Sequence, residues 1–168
     1  LSGKSFGMRS ASGNFTDDEL ISAVRYCHAR GVRVYVTVNV MPRTCEYPAL
    51  RKYIDFLGGS GIDAVIVGDI GVMMLVREMC PNLAIHISTQ ASAVSAADCI
   101  AWHRLGASRI VLARELTLGE IREIRSEIPE SIELEAFVHG AMCISYSGRC
   151  LLSNYFTGRD ANHGTCAQ

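Results

Sequence analysis

The chain has 168 residues, 49% hydrophobic and 20% charged, which is enough apolar material to bury a core and excludes a disordered or fibrous polypeptide. Sixteen basic against seventeen acidic residues leave a net charge of −1, so there is no global attraction to nucleic acid or an anionic membrane, and any RNA contact has to be local. No apolar run approaches the roughly 18 to 20 residues of a membrane span, and Leu1-Ser-Gly-Lys-Ser-Phe-Gly7 lacks the apolar stretch of a signal peptide, so the expectation is a cytoplasmic protein with no membrane partner.

In chain order, a strand stub at Leu1 to Lys4 precedes a helix that starts at Thr16. Glu19 three residues later completes a capping box, Leu20, Ile21, Val24 and Cys27 fall on one face, and Gly31 closes the segment. Val32-Arg-Val-Tyr-Val-Thr-Val38 is the first full strand. A helix from about Tyr47 to Leu57 follows, ended by Gly58-Gly59. Ala64-Val-Ile-Val67 and Ala84-Ile-His-Ile-Ser88 are the next strands, then a helix around Ala96 to Leu105 with Gly106 after it. Arg109-Ile-Val-Leu-Ala113 leads to a second capping box, Thr117 with Glu120, ahead of Ile121, Ile124 and Ile128. Pro129 stops that helix, and Ile132-Glu-Leu-Glu-Ala-Phe-Val138 is the last strand.

Short β-branched runs alternating with helices specify an α/β fold with a parallel sheet. Strand centres recur every ~20 to 30 residues, and no Gly-x-Gly-x-x-Gly turn opens a helix, although Gly59-Ser-Gly61 hints weakly at a dinucleotide-binding sheet. The expected architecture is a partial (β/α) TIM-type barrel of about five to six parallel strands with intervening helices. Residues 1–140 would form the βα repeats, and residues 141–168 a cysteine-rich loop segment of the same domain. A closed eight-fold barrel needs about 250 residues, so the segment is expected to be part of a barrel whose exposed edges could favour self-association.

Every strand ends in polar residues: Asn39, Gly68-Asp69, Ser88-Thr89-Gln90, Arg114-Glu115 and His139-Gly140. Loops at the carboxyl ends of parallel strands form ligand sites because all strands present those ends on one face; each such residue could equally be a helix cap. The seven cysteines, an odd number, suit thiols or metal ligands better than a disulfide framework. Cys27, Cys99 and Cys80 sit where small hydrophobes pack, and Cys45 is ambiguous. Cys143, Cys150 and Cys166 fall within 24 residues rich in Gly, Ser and Asn, separated by six and fifteen residues. Thiolates grouped on wrapping loops hold zinc or iron–sulfur clusters, usually four at a time.

The stretches Glu135-Ala-Phe-Val-His-Gly-Ala-Met-Cys143, Tyr146-Ser-Gly-Arg-Cys150-Leu-Leu-Ser153 and Arg159-Asp-Ala-Asn-His-Gly-Thr-Cys166 resemble the signature of the U32 peptidase family. The resemblance extends through Gly3-Lys-Ser-Phe-Gly-Met-Arg9, Tyr35-Val-Thr-Val-Asn39, His86-Ile-Ser-Thr-Gln90-Ala-Ser92 and Arg109-Ile-Val-Leu-Ala-Arg114-Glu115. It is closest to family members that act as tRNA hydroxylation proteins. For that branch the resemblance implies 5-hydroxyuridine formation at the wobble position with prephenate as co-substrate, and four cysteines around an iron–sulfur cluster. Cys143, Cys150 and Cys166 match three of these ligands, and the fourth is expected beyond this chain. The family's opening strand, its remaining barrel strands and its C-terminal domain are expected to lie outside it too.

The family's peptidase name implies a different chemistry, for which Cys143 with His139 four residues before it is the available nucleophile and base. Neither His-Glu-x-x-His nor Gly-x-Ser-x-Gly occurs. For RNA hydroxylation, Arg114, Glu115, His139 and Gln90 are the catalytic candidates. Arg9, Arg149 and Arg159, with Asn39, are candidates for binding a small organic acid or phosphate. Each arginine could instead serve an ion pair, such as Arg114 with Glu115 or Arg159 with Asp160. From His139 to Gln168 the net charge is only +1, so tRNA contacts are expected to come largely from elsewhere in the full protein. A non-catalytic scaffold is the third reading.

Overall fold

The computed structural model describes residues 1–8, 13–139, 145–147, 150–163 and 165–166. Five strands, β1 (Tyr35–Val38), β2 (Ala64–Val67), β3 (Ala84–Ile87), β4 (Arg109–Val111) and β5 (Glu133–Glu135), form one parallel sheet in the order β1-β2-β3-β4-β5. Helices α1 (Asp17–His28), α2 (Tyr47–Gly59), α3 (Ile70–Met79), α4 (Ala96–Arg104) and α5 (Leu118–Glu127) alternate with them, and a short α6 (Leu152–Thr157) follows β5. Because βα crossovers are right-handed, a strand order that never reverses puts the connecting helices on one side of the sheet. That is a partial barrel; a doubly wound sheet would reverse its order and cover both faces.

The alternation along each strand sorts the two faces. Val36, Val38, Val65, Val67, Ile85, Ile87 and Ile110 are almost fully buried and share one cluster with Leu50, Ile54 and Leu57 of α2 and Val72, Met73 and Val76 of α3. The other face carries the registered row Thr37, Ile66, His86, Arg109 and Glu133. Tyr35 stands beside that row with its ring edge-on to His86 at 4.6 Å. Arg109 ties β4 to β5 through Glu133 at 2.6 Å and Glu135 at 3.3 Å. The uncovered face is therefore polar and charged, whereas the helix-covered face is apolar.

Both predicted capping boxes form, at Thr16 with Glu19 and at Thr117 with Glu120. Ile128 after α5 is extended, as the residue before a proline prefers to be. The Leu1 ammonium donates to the Tyr35 carbonyl at 2.7 Å and the Leu1 carbonyl accepts from Thr37 N at 3.0 Å, so the strand stub contributes Leu1 along the outer edge of β1. The outer edge of β5 has no partner strand among the described residues.

Several boundaries differ from the sequence expectation, beginning with β1, which starts at Tyr35 rather than Val32. Helix α2 runs through Gly58-Gly59, and the chain turns at Gly61, whose φ of +80° is in the region glycine favours. Strands β4 and β5 stop at Val111 and Glu135, short of Ala113 and Val138, because the ladder ends there and the chain turns into the site loops. Helix α3 carried no amphipathic signal. Its run Ile-Gly-Val-Met-Met-Leu-Val is apolar all round, and only Asp69, which caps it by accepting from Val72 N at 3.0 Å, marks its start.

Candidate active site at the carboxyl ends of the strands

Asn39 leaves β1 with its side chain fully used: Oδ1 accepts from Met8 N at 3.2 Å and Nδ2 donates to Ser88 Oγ at 3.3 Å. Ser88 begins a 3-10 turn, Thr89–Ala91, and its hydroxyl accepts from Gln90 N, which brings Gln90 to the same end of the sheet. Gly68 lies between them. A Cβ there would stand 2.9 Å from Gln90 Cβ and 3.0 Å from the Asn39 carbonyl. Since both neighbours are held by backbone, Gly68→Ala is expected to cost about 1–3 kcal/mol. A urea midpoint unchanged from wild type would show that these loops yield instead.

Arg114 and Glu115 follow β4. Among the described residues Arg114 Nε is buried without a hydrogen-bond partner, and its guanidinium carbon lies 5.8 Å from the centre of the Phe137 ring. Glu115 Oε1 accepts from the Ser147 backbone N–H at 2.9 Å, so this carboxylate holds the cysteine-bearing segment rather than pairing with Arg114. The carbonyl of the same Ser147 accepts from the Ser92 hydroxyl. His139 lies beyond β5 and is exposed.

The segment from Ser145 to Cys166 is not simply a loop, since it contains α6 and a 3-10 turn at Ala161–His163. It is anchored at a second place on the sheet: Met41 N donates to the Asn162 carbonyl at 3.3 Å, and Arg43 meets Asp160 at 3.7 Å. Asp160 thus pairs with Arg43 of the loop after β1 instead of with its neighbour Arg159. Asn162 Nδ2 in turn donates to the Cys150 carbonyl at 3.0 Å.

The Cys150 sulfur accepts from the Ser145 hydroxyl at 3.3 Å, and that bond, followed by the Leu152 and Ser153 backbone N–H groups, holds its thiol below the ordinary cysteine range. The Ser153 hydroxyl donates to Cys166 Sγ at 3.8 Å, so one residue touches both sulfurs. Ser153 is 5% exposed. Two thiols meeting around one buried serine suit a thiolate-held metal group. Among the described residues no three His, Cys, Asp or Glu side chains form a metal-binding group.

Arg9, Cys143 and Arg149 lie outside the described residues, as does any pairing of Cys143 with His139. Asn39, Gln90, Arg114 and Glu115 gather at the carboxyl end of the sheet, whereas Arg159 is exposed on the turn after α6. Cys99 is buried, with its thiol pushed up to about 11 by burial, and Cys45 is exposed. Sequence reasoning missed Ser92, Ser145, Ser147 and Asn162. The bond between Ser92 and Ser147 spans 55 positions and that between Met41 and Asn162 still more, beyond the reach of any local signal, whereas Ser145 lies five residues before Cys150.

The sequence profile of peptidase family U32 matches residues 1–168. The chain belongs to this family. The U32 chain is 42% identical to tRNA hydroxylation protein P of Escherichia coli (strain K12) over 161 residues, covering 96% of this chain and 35% of that protein. It is 39% identical to tRNA hydroxylation protein P1 of Bacillus subtilis (strain 168) over 168 residues, 100% of this chain and 39% of the relative. It therefore spans between a third and two fifths of the length of these relatives. The solved structure of the U32 peptidase Mk0906 superposes with a TM-score of 0.67 at 22% identity, covering 81% of this chain and 58% of that one, and shares its fold. Among the described residues no helix is long and apolar enough to cross a membrane.

Proposed function

We propose that the U32 chain works in tRNA hydroxylation, the activity in the names of its Escherichia coli and Bacillus subtilis relatives, with the carboxyl end of the sheet as the reaction site. The observation that carries this reading is the docking of the Ser145 to Cys166 segment over that end, where Ser147 meets Ser92 and Glu115 and Asn162 meets Met41. This supports the reading because the Cys150 and Cys166 thiols then belong to a segment held at the end of the sheet where parallel α/β folds bind their substrates. Cys143, Cys150 and Cys166, with a fourth ligand, would hold an iron–sulfur cluster, which would supply redox chemistry when bound. Arg114, whose buried Nε has no partner among the described residues, is suited to a carboxylate of a small organic acid such as prephenate, with Gln90 nearby as a polar contact. Arg9, Arg149 and Arg159 would add positive charge for carboxylate or RNA phosphate.

The described hydrogen bonds to the Cys150 and Cys166 thiols come from serine hydroxyls and backbone N–H groups. A thiol protease would instead need a base beside its sulfur. In tRNA from a strain lacking the gene, mass spectrometry of nucleosides is expected to find 5-hydroxyuridine derivatives lost, and unchanged levels would sink the reading. The full-length protein purified without oxygen is expected to contain iron and acid-labile sulfide. Gelatin cleavage abolished by Cys143→Ala at unchanged metal content would give the site to a peptidase.

A further inference from the structure

We propose that Glu115 and Ser92 are positioning residues that grip the two sides of the Ser147 peptide and so fix where Cys150 sits. The inference deepens the functional reading above by taking Cys150 as a ligand of that site. Glu115 Oε1 accepts from Ser147 N at 2.9 Å while the Ser92 hydroxyl donates to the Ser147 carbonyl. Ser147 is 1% exposed although Glu115 itself is exposed, so the peptide's own N–H and carbonyl are shielded from water and leaving either bond unmade is costly.

Ser92 is built for this contact. It has φ 55° and ψ 40°, left-handed values that a serine adopts only when its surroundings demand them, and they close the 3-10 turn through Ser92 N to the Thr89 carbonyl at 3.0 Å. The next residue, Ala93, accepts from Ala113 N at 3.0 Å, which locks the turn to the chain just before Arg114 and Glu115. The two halves of the grip are therefore mounted on one rigid support at the ends of β3 and β4.

What the grip controls is local. Ser145, two residues before Ser147, donates its hydroxyl to Cys150 Sγ at 3.3 Å, three residues after it. Releasing the Ser147 peptide frees the short link that sets this serine against the sulfur. Glu115 then acts through the segment it holds and needs only an acceptor oxygen, not a proton-transferring carboxylate. Replacing it with glutamine keeps such an oxygen, and Ser92→Gly removes the hydroxyl without straining the left-handed backbone.

The test uses the full-length protein in its reduced, metal-stripped form, with iodoacetamide alkylation followed by mass spectrometry. The ratio of Cys150 to Cys45 labelling is the readout, because Cys45 is exposed and reports intrinsic reactivity, while protection of buried Cys99 reports an intact fold. Glu115→Ala and Ser92→Gly are each expected to lower the ratio several-fold with Cys99 still protected, because the sulfur loses the Ser145 hydroxyl that favours its thiolate, and Glu115→Gln to keep it near wild type. A wild-type ratio in both Glu115→Ala and Ser92→Gly, a Gln variant as disturbed as the Ala variant, or Cys99 labelled in step with Cys150 would each overturn the proposal.

The same variants purified without oxygen are expected to lose iron and sulfide for Glu115→Ala and retain them for Glu115→Gln. If the wild-type protein contains no iron, the cluster reading fails while the alkylation ratio still decides the positioning role.

Discussion

Ile110→Ala is expected to lower the unfolding free energy by about 3–4 kcal/mol, read as a fall in the urea midpoint at unchanged slope. Ile110 is 0% exposed in the middle of β4 and stands in register with Ile87 on one side and Leu134 on the other. Its side chain lies on the helix-covered face, in the same cluster as Ile87 and Val76. Truncation removes the transfer free energy of three carbons and leaves a void that two hydrogen-bonded strands cannot close around. Domains of this size have roughly 5–15 kcal/mol in total, so the loss is a large share. A decrease under about 1 kcal/mol would mean that β4 is not the centre of the core.

A second large effect is a dependence of stability on pH that originates at His86. The residue is 4% exposed, its Nδ1 has no hydrogen-bond partner among the described residues, and burial first, then the Arg109 charge, lower its pKa to about 4, against a smaller opposing pull from Glu133. The unfolded chain binds the proton near the ordinary value of 6.5, higher than the folded chain does. Above that pH His86 is neutral in both states and contributes no pH dependence. As pH falls from about 6.5 to about 4 the unfolded state gains protons first, and stability drops by on the order of 3 kcal/mol. Urea midpoints of wild type and His86→Gln should therefore converge with the fall in pH through this window, relative to their separation at pH 7. A constant separation would remove His86 as the cause.

Much of the fold was legible locally. β2 has the bounds its β-branched run gave it, and the spacing of Thr16 with Glu19 and of Thr117 with Glu120 placed two helix starts to the residue. These signals survive because each depends on groups within four residues of one another. Helix α3 was not legible, since its exposed face carries apolar Ile70 and Met74 as well, which leaves no continuous polar stripe to reveal its period.

The candidate site divides in the same way. Residue types and strand-end positions singled out Asn39, Gln90, Arg114, Glu115 and the cysteines, and the structure gathers the first four at one end of the sheet. Their partners were not predictable. Asp160 lies beside Arg159 in the chain yet meets Arg43, and Glu115 lies beside Arg114 yet holds Ser147. Adjacent charges in a sequence often point to different neighbours once the chain turns between them.

By itself the sequence determined that the chain is an α/β repeat, where most of its strands and helices begin, and which residue types carry chemistry. These follow from side-chain periodicity and backbone capping, which act over a few residues. Only the tertiary structure decided that the strands keep a single order, that His86, Arg109 and Glu133 share the uncovered face, and that Ser92 and Glu115 grip the cysteine segment. Those facts depend on register and long-range hydrogen bonds, which exist only after the sheet has brought residues 32 to 55 positions apart into contact.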